Sequence, residues 1–183
     1  MAKHVVIPAR YASSRLPGKP LALIHGLPMI VHVAALASST MADDVVVAVD
    51  DQRVLDVVAD AGYQGIMTRA DHPSGSDRVM QVADEMGWDD EDLVINIQGD
   101  EPMLPSQIVD DLFRAMVTRA NIQMATLSEA ITNGREFLDP NVVKVIVGDG
   151  LRAINFSRAP TPYPRESIDD EELFAAFMQS GVA

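Results

Sequence analysis

The sequence predicts a three-layer α/β domain built on a mostly parallel sheet. Three observations carry that reading. Short runs rich in valine and isoleucine alternate with segments of helical period from the first residues onward. The runs are nearly continuous in apolar residues, as strands covered on both faces require. Glycine follows the helical segments directly, at Gly62 and Gly87, where a helix stop is expected.

Taken in order, residues 4–7 form a buried first strand and residues 7–21 a basic loop. Pro28 suits a helix start, since proline at a first helical position costs no hydrogen bond, and residues 29–39 follow as a helix. Residues 44–49 (DVVVAV) read as a buried strand. Residues 51–61 read as a helix with Val54, Leu55, Val57, Val58 and Ala61 on its apolar face. A short strand at 64–67 leads through a loop with Pro73, Ser74, Gly75 and Ser76 into a helix at 77–86. Val79, Val82, Ala83 and Met86 repeat there at helical spacing, and methionines such as Met80 and Met86 read as packing. Residues 93–97 are expected to be a central strand, running into Gln98-Gly99-Asp100-Glu101-Pro102. A helix at 105–119 is expected to bury Ile108, Leu112, Ala115 and Met116.

The pattern then changes. Residues 122–130 and 142–147 read as strands separated by a turn-rich stretch around Asn133, Gly134 and Pro140. The Asp149-Gly150 pair predicts a hairpin turn into a strand at 151–157. Alternate prolines at 160, 162 and 164 enforce an extended path. Residues 166–183 open with acidic residues that favour a helix start.

Composition narrows the function. The chain has 183 residues, 48% of them hydrophobic, and a formal net charge of -13. That balance disfavours a general nucleic-acid binder, which needs a basic face. No apolar run approaches the length of a membrane span. No cysteine is present, so disulfides and thiolate chemistry are excluded. A soluble cytoplasmic protein is the expectation.

Against that acidity, no acidic residue precedes Asp43, whereas Lys3, Arg10, Arg15 and Lys19 do. A basic loop after the first strand fits an anionic small molecule such as a nucleoside triphosphate; the competing reading is a solvated loop paired with acids elsewhere. Arginine forks and a lysine point charge are both suited to phosphate. The loop is neither a Walker A motif nor a dinucleotide fingerprint, because the required glycines are missing and Pro20 follows Lys19. Asp100, just past a strand, could hold a hard cation such as magnesium or could simply cap a turn. Both loops follow strands and are therefore expected on the same sheet edge, where open α/β sheets bind ligands. A third stretch, residues 67–78, brings Ser74, Gly75 and Arg78 to a helix start, with donors able to read a nucleobase. His72 reads as a loop histidine, and His4, His25 and His32 lack metal-ligand spacing.

The strings IPARYASSRLPGKPL (7–21), MTRADHPSGSDR (67–78), INIQGDEPMLP (95–105), DPNVVKVIV (139–147) and FSRAPTPYPRE (156–166) together resemble the 3-deoxy-manno-octulosonate cytidylyltransferases, or CMP-Kdo synthetases. The resemblance implies a Rossmann-like nucleotide-diphospho-sugar transferase fold with a mostly parallel mixed sheet. It implies transfer of CMP from CTP to the sugar acid Kdo, with magnesium present, giving CMP-Kdo and pyrophosphate for lipopolysaccharide synthesis. It also implies a cytoplasmic homodimer without nucleic-acid or membrane partners. Carried over by position, Ala9, Arg10, Arg15, Lys19, Ser74, Gly75 and Arg78 would bind the nucleotide. Arg10, Lys19 and Asp100 would be catalytic, Asp100 as the magnesium ligand, and Gln98 and Arg158 would contact the sugar.

The family's chains continue well past the last of these strings. The expectation is therefore an incomplete nucleotidyltransferase core at 1–166 and an acidic connecting segment at 167–183. A second metal-binding aspartate and a histidine–tyrosine sugar segment belong to the portion without a counterpart here. Two further readings stay open: a related transferase acting on sialate or 8-amino-Kdo, and a nucleotide-binding module without turnover.

Overall fold

The structure is a computed structural model that describes residues 1–12, 16–119 and 122–161, together with Glu171 and Ala175. These fall into two compact units, Met1–Ala125 and Thr126–Ala183.

In the first unit, β1 (Lys3–Ala9) is followed by a short hairpin of β2 (Leu23–Ile24) and β3 (Leu27–Pro28), then by α1 (Met29–Ser38). Next come β4 (Asp44–Val49), α2 (Gln52–Asp60), β5 (Gln64–Met67), α3 (Gly75–Met86), β6 (Leu93–Asn96) and α4 (Ser106–Thr118). The four long strands form a parallel sheet in the order β5-β4-β1-β6. The register aligns His4 with Asp44 through Ala9 with Val49, and Lys3 with Leu93 through Val6 with Asn96.

Strand periodicity divides the core between two faces. Val5, Ile7 and Ala9 of β1, with Val47 and Val49 of β4, pack against α1, α2 and α4. Val6, Val46 and Ala48 point the other way, onto Val79 and Val82 of α3. Helices therefore cover both faces of the sheet, as a three-layer fold requires. Asp51 caps α2 by accepting the Arg53 N–H, and Gly87 ends α3 in the left-handed conformation.

Several expectations are corrected. Among the described residues β6 lies at the end of the strand order and is not central. The buried face of α4 centres on Val109 and Phe113, with Ile108, Leu112 and Met116 half-buried and Ala115 exposed. A one-residue rotation of the apolar stripe produces this. Met80 is exposed, whereas Met86 packs under the sheet. Residues 122–130 form no strand, and Met124 and Leu127 remain exposed, so no buried face rewards pairing there. The β2–β3 hairpin was not foreseen; its turn places His25 and Gly26 at positive φ.

The amino ends of the strands carry a separate cluster. His4 is buried and stacks on Trp88 with ring centroids 3.9 Å apart. Its Nδ1 lies 3.0 Å from Asp44 and its Nε2 3.4 Å from Asp92. Asp92 also accepts the Ala2 and Asp89 backbone N–H groups.

The second unit holds α5 (Gly134–Leu138), capped by Asn133, and an antiparallel pair, β7 (Lys144–Val147) and β8 (Ala153–Ser157). The expected hairpin is present, turned by a short 3-10 segment at Asp149–Leu151. The helix α5 falls within the stretch expected to be turn-rich; the Asn133 side chain, accepting the Glu136 N–H at 2.9 Å, starts it. Lys144 is buried, and its Nζ donates to the backbone carbonyls of Asp139, Val142 and Arg158. Glu171 and Ala175 are helical, in the stretch where a helix is expected at the end of the chain; the rest of that stretch and the 166/167 boundary lie outside the described residues.

Candidate active site

The chain order reverses at β1: β4 and β5 lie on one side of it and β6 on the other. In open α/β sheets the crevice beyond the carboxyl ends at such a switch point is where ligands bind. An open cleft of about 360 Å³ lies beside these strand ends. Pro8, Ala9, Arg10 and Ala12 line it from the end of β1; Lys19 and Pro20 come from the segment before α1, and Met29 opens α1. Gln98, Gly99 and Asp100 follow β6, and Gly75 opens α3.

Each group is held by local structure. The loop after β1 leaves and returns through a narrow neck, closed where the Gly18 N–H donates to the Tyr11 carbonyl at 2.9 Å. Gly18 has φ +71°, and a Cβ there would meet the Tyr11 ring at 3.2–3.3 Å, so glycine suits both the turn and the contact. The Arg53 guanidinium also lies over the Tyr11 ring, 3.7 Å from its centroid. Arg10 and Lys19 therefore flank the neck, one before it and one after. Arg10 donates to the His72 carbonyl, and Lys19 is ion-paired with Asp100. Gly99 lets the turn after β6 pack tightly on β1, because a Cβ would fall 2.9 Å from the Pro8 carbonyl oxygen.

The residues expected to read a base have different surroundings. Ser74 is the N-cap of α3; it accepts the Asp77 N–H and donates to the Asp77 carboxylate, which holds that carboxyl below its ordinary range. Gly75 lines the cleft. Arg78 is fully buried below it, donating to Thr68 Oγ1 and to Asp50 at 3.1 Å. Burial lowers its pKa; the Asp50 charge opposes that shift and the nearby Arg10 charge adds to it.

Thus Ala9, Arg10, Lys19, Gly75, Gln98 and Asp100 share one cleft. Arg15 lies outside the described residues. Arg158 belongs to the second unit, where it donates to the Pro140 carbonyl at 2.9 Å. His72 serves through its carbonyl, while its ring bonds Gln81.

Sequence reasoning passed over Asp50. It stands immediately past β4, and Asp100 four residues past β6, so a comparable signal, an aspartate shortly after an apolar strand, was available. Asp50 accepts the Tyr11 N–H at 2.8 Å on Oδ1 and binds Arg78 on Oδ2.

For a divalent cation, Asp100 is the one carboxylate lining the cleft among the described residues, and no cluster of three or more acidic or histidine ligands occurs among them. That donor set fits a magnesium ion that arrives with phosphates and keeps most of its waters, and does not fit a caged resident ion.

Comparison with known proteins shows the family and the fold. The family model described as cytidylyltransferase matches residues 4–175. The chain belongs to the cytidylyltransferase family. It is 50% identical over 164 residues to a 3-deoxy-manno-octulosonate cytidylyltransferase of Psychrobacter sp., covering 89% of this chain and 60% of that one. It is 46% identical over 171 residues to the enzyme of that name from Acinetobacter baumannii, covering 93% and 68%. A solved CMP:2-keto-3-deoxy-manno-octonic acid synthetase, complexed with CTP, superposes with a TM-score of 0.84 at 45% identity, covering 91% of this chain and 68% of that one. A cytidylyltransferase from Leptospira borgpetersenii shares the fold, with a TM-score of 0.57 at 19% identity. The chain thus spans about three-fifths to two-thirds of the length of these close relatives.

Proposed function

We propose that this cytidylyltransferase-family chain binds CTP in the cleft beside β1 and β6 and takes part in transferring CMP to Kdo. The convergence of Arg10, Lys19 and Asp100 on one sheet edge carries the reading. The names of the close relatives and the CTP complex of one of them support it. A hydroxyl oxygen of Kdo attacks the α-phosphorus of CTP; the new O–P bond forms as the bond to the bridging oxygen breaks, and pyrophosphate leaves.

The side chains suit the roles expected of them. Arg10 and Lys19 hold phosphate oxygens and neutralise charge gathering on the α-phosphate and the leaving group, the main contribution a protein makes to such a transfer. Arg15, on the same loop, adds to the phosphate site. Ser74, Gly75 and Arg78 set the start of α3 for cytosine, with Ala9 beside the nucleotide. Gln98 faces the sugar acid, and Arg158 is suited to its carboxylate. Asp100 would hold magnesium, which when bound screens the phosphates and orients them. Asp100 must exchange its Lys19 partner for that cation. Within this proposal the protein is a cytoplasmic homodimer serving lipopolysaccharide synthesis.

The test is pyrophosphate release from CTP and magnesium, with and without Kdo. Kdo-dependent release supports the transferase. CTP binding without any release favours a second reading, a nucleotide-binding module without turnover. Asp100 standing as the one carboxylate lining the cleft among the described residues favours that second reading. Competition with sialate and 8-amino-Kdo separates the related sugar substrates.

A further inference from the structure

We propose that Asp50 is a positioning residue that couples the neck of the basic loop to the start of α3, so that one buried carboxylate aligns the phosphate and base halves of the cleft. The inference rests on the nucleotide reading above.

Asp50 directly follows β4, the strand next to β1, and its side chain is only 7% exposed. Its two oxygens serve different elements. Oδ1 accepts the Tyr11 N–H at 2.8 Å, one residue after Arg10 and at the neck whose far side leads to Lys19. Oδ2 accepts from Arg78 at 3.1 Å, on the first turn of α3, three residues after Gly75. Arg78 in turn donates to Thr68, whose hydroxyl and N–H both bond the Val49 carbonyl, at 2.8 and 2.7 Å. The loop after β1, the end of β4, the end of β5 and the start of α3 are thereby joined through one anion.

Geometry makes the coupling tight. A neutral side chain at position 50 leaves a fully buried guanidinium without its counter-charge. Asparagine could accept from one partner but would turn an N–H donor toward the other. Glutamate keeps the charge but moves the oxygens by one methylene, so it cannot meet both partners where they stand. Arg10 and Gly75 line the cleft while Asp50 does not, so Asp50 acts through them.

The test uses the whole chain with 15N labelling, CTP, and inorganic triphosphate as a probe of the phosphate half alone. In the unsubstituted chain, triphosphate is expected to shift the amide signals of Arg10, Gly18 and Lys19, and through Asp50 those of Ser74 and Gly75. In Asp50→Asn the shifts stay on the basic loop, the Tyr11 amide proton moves upfield, and CTP binds roughly tenfold more weakly or worse, within the usual range of site coupling. A general loss of structure would instead disperse the effect over all signals. If Asp50→Asn does not fold, Asp50→Glu is measured, with the same outcome expected. CTP affinity within about twofold of the unsubstituted chain in a folded variant, or triphosphate shifts still reaching Ser74 and Gly75, overturns the inference alone. No CTP binding by the unsubstituted chain overturns the nucleotide reading and this inference with it.

Discussion

Lys19 and Asp100, 81 positions apart in sequence, are ion-paired across the floor of the cleft. Each is the other's counter-charge, yet in the proposed reaction the lysine is needed by phosphate and the aspartate by a cation. Substrate and metal therefore compete with the pair that organises the site. Asp100→Asn should release Lys19 and strengthen metal-free CTP binding by about two- to fivefold, the range of a part-exposed pair. The same change should abolish the gain in affinity that magnesium gives. Calorimetric titration of CTP with chelator and with magnesium checks both signs. Unchanged metal dependence in the variant would remove Asp100 as the ligand.

Gly99 is confined by backbone, which cannot swing aside as a side chain can. A Cβ would sit 2.9 Å from the Pro8 carbonyl oxygen and 3.5 Å from Ile30. Gly99→Ala should therefore cost about 1–3 kcal/mol, the usual range for overpacking. It should also push Gln98 and Asp100 away from β1, weakening CTP binding beyond the stability loss. Urea unfolding followed by Trp88 fluorescence, with a parallel CTP titration, measures the two effects.

At the opposite end of the sheet, Asp92 is held below its ordinary pKa of 3.8, first by the Ala2 N–H, with burial opposing and the Asp89 N–H and His4 assisting. A carboxyl depressed in the folded state contributes stability that is present above its unfolded value and lost as pH falls through the folded one. Asp92→Asn should lower the thermal midpoint at pH 7 and flatten its fall below about pH 4. An acid dependence equal to that of the parent chain would show that Asp92 does not carry it.

In the second unit, all three donors of Lys144 Nζ are spent on carbonyls, among them that of Arg158. Lys144→Met keeps the bulk and leaves those carbonyls without their donor, a change worth about 1–3 kcal/mol. Limited proteolysis should cut faster between residues 139 and 158 in the variant. Equal cutting rates would mean that solvent replaces the lysine at no cost.

Much of this fold was legible because strand and helix periods differ. The valine runs at β1 and β4 divide cleanly between the two faces of the sheet, and Gly87 stops α3 where expected. The convergence of Lys19 with Asp100 followed from both lying just past parallel strands. What escaped depended on tertiary partners. Arg78 carries no sign in sequence that it is buried against Asp50. The face of α4 is turned by one residue because it is Val109 and Phe113 that enter the core shared with β1. Residues 122–130 have strand-forming residues but no buried face to reward pairing.

The strand order also bears on the sequence of events as the chain is made. β1 emerges first and finds β4 within forty or so residues, but its other neighbour begins only at Leu93. Until then one edge of β1 has no ladder, and Lys19 has no Asp100 to meet. The amino-terminal half of a nascent chain can therefore assemble β5, β4 and β1 with α1 and α2 while the cleft still lacks a wall. Parallel pairing across such separations is slow, and nucleotide competence would arrive late and abruptly, with the few residues that follow β6.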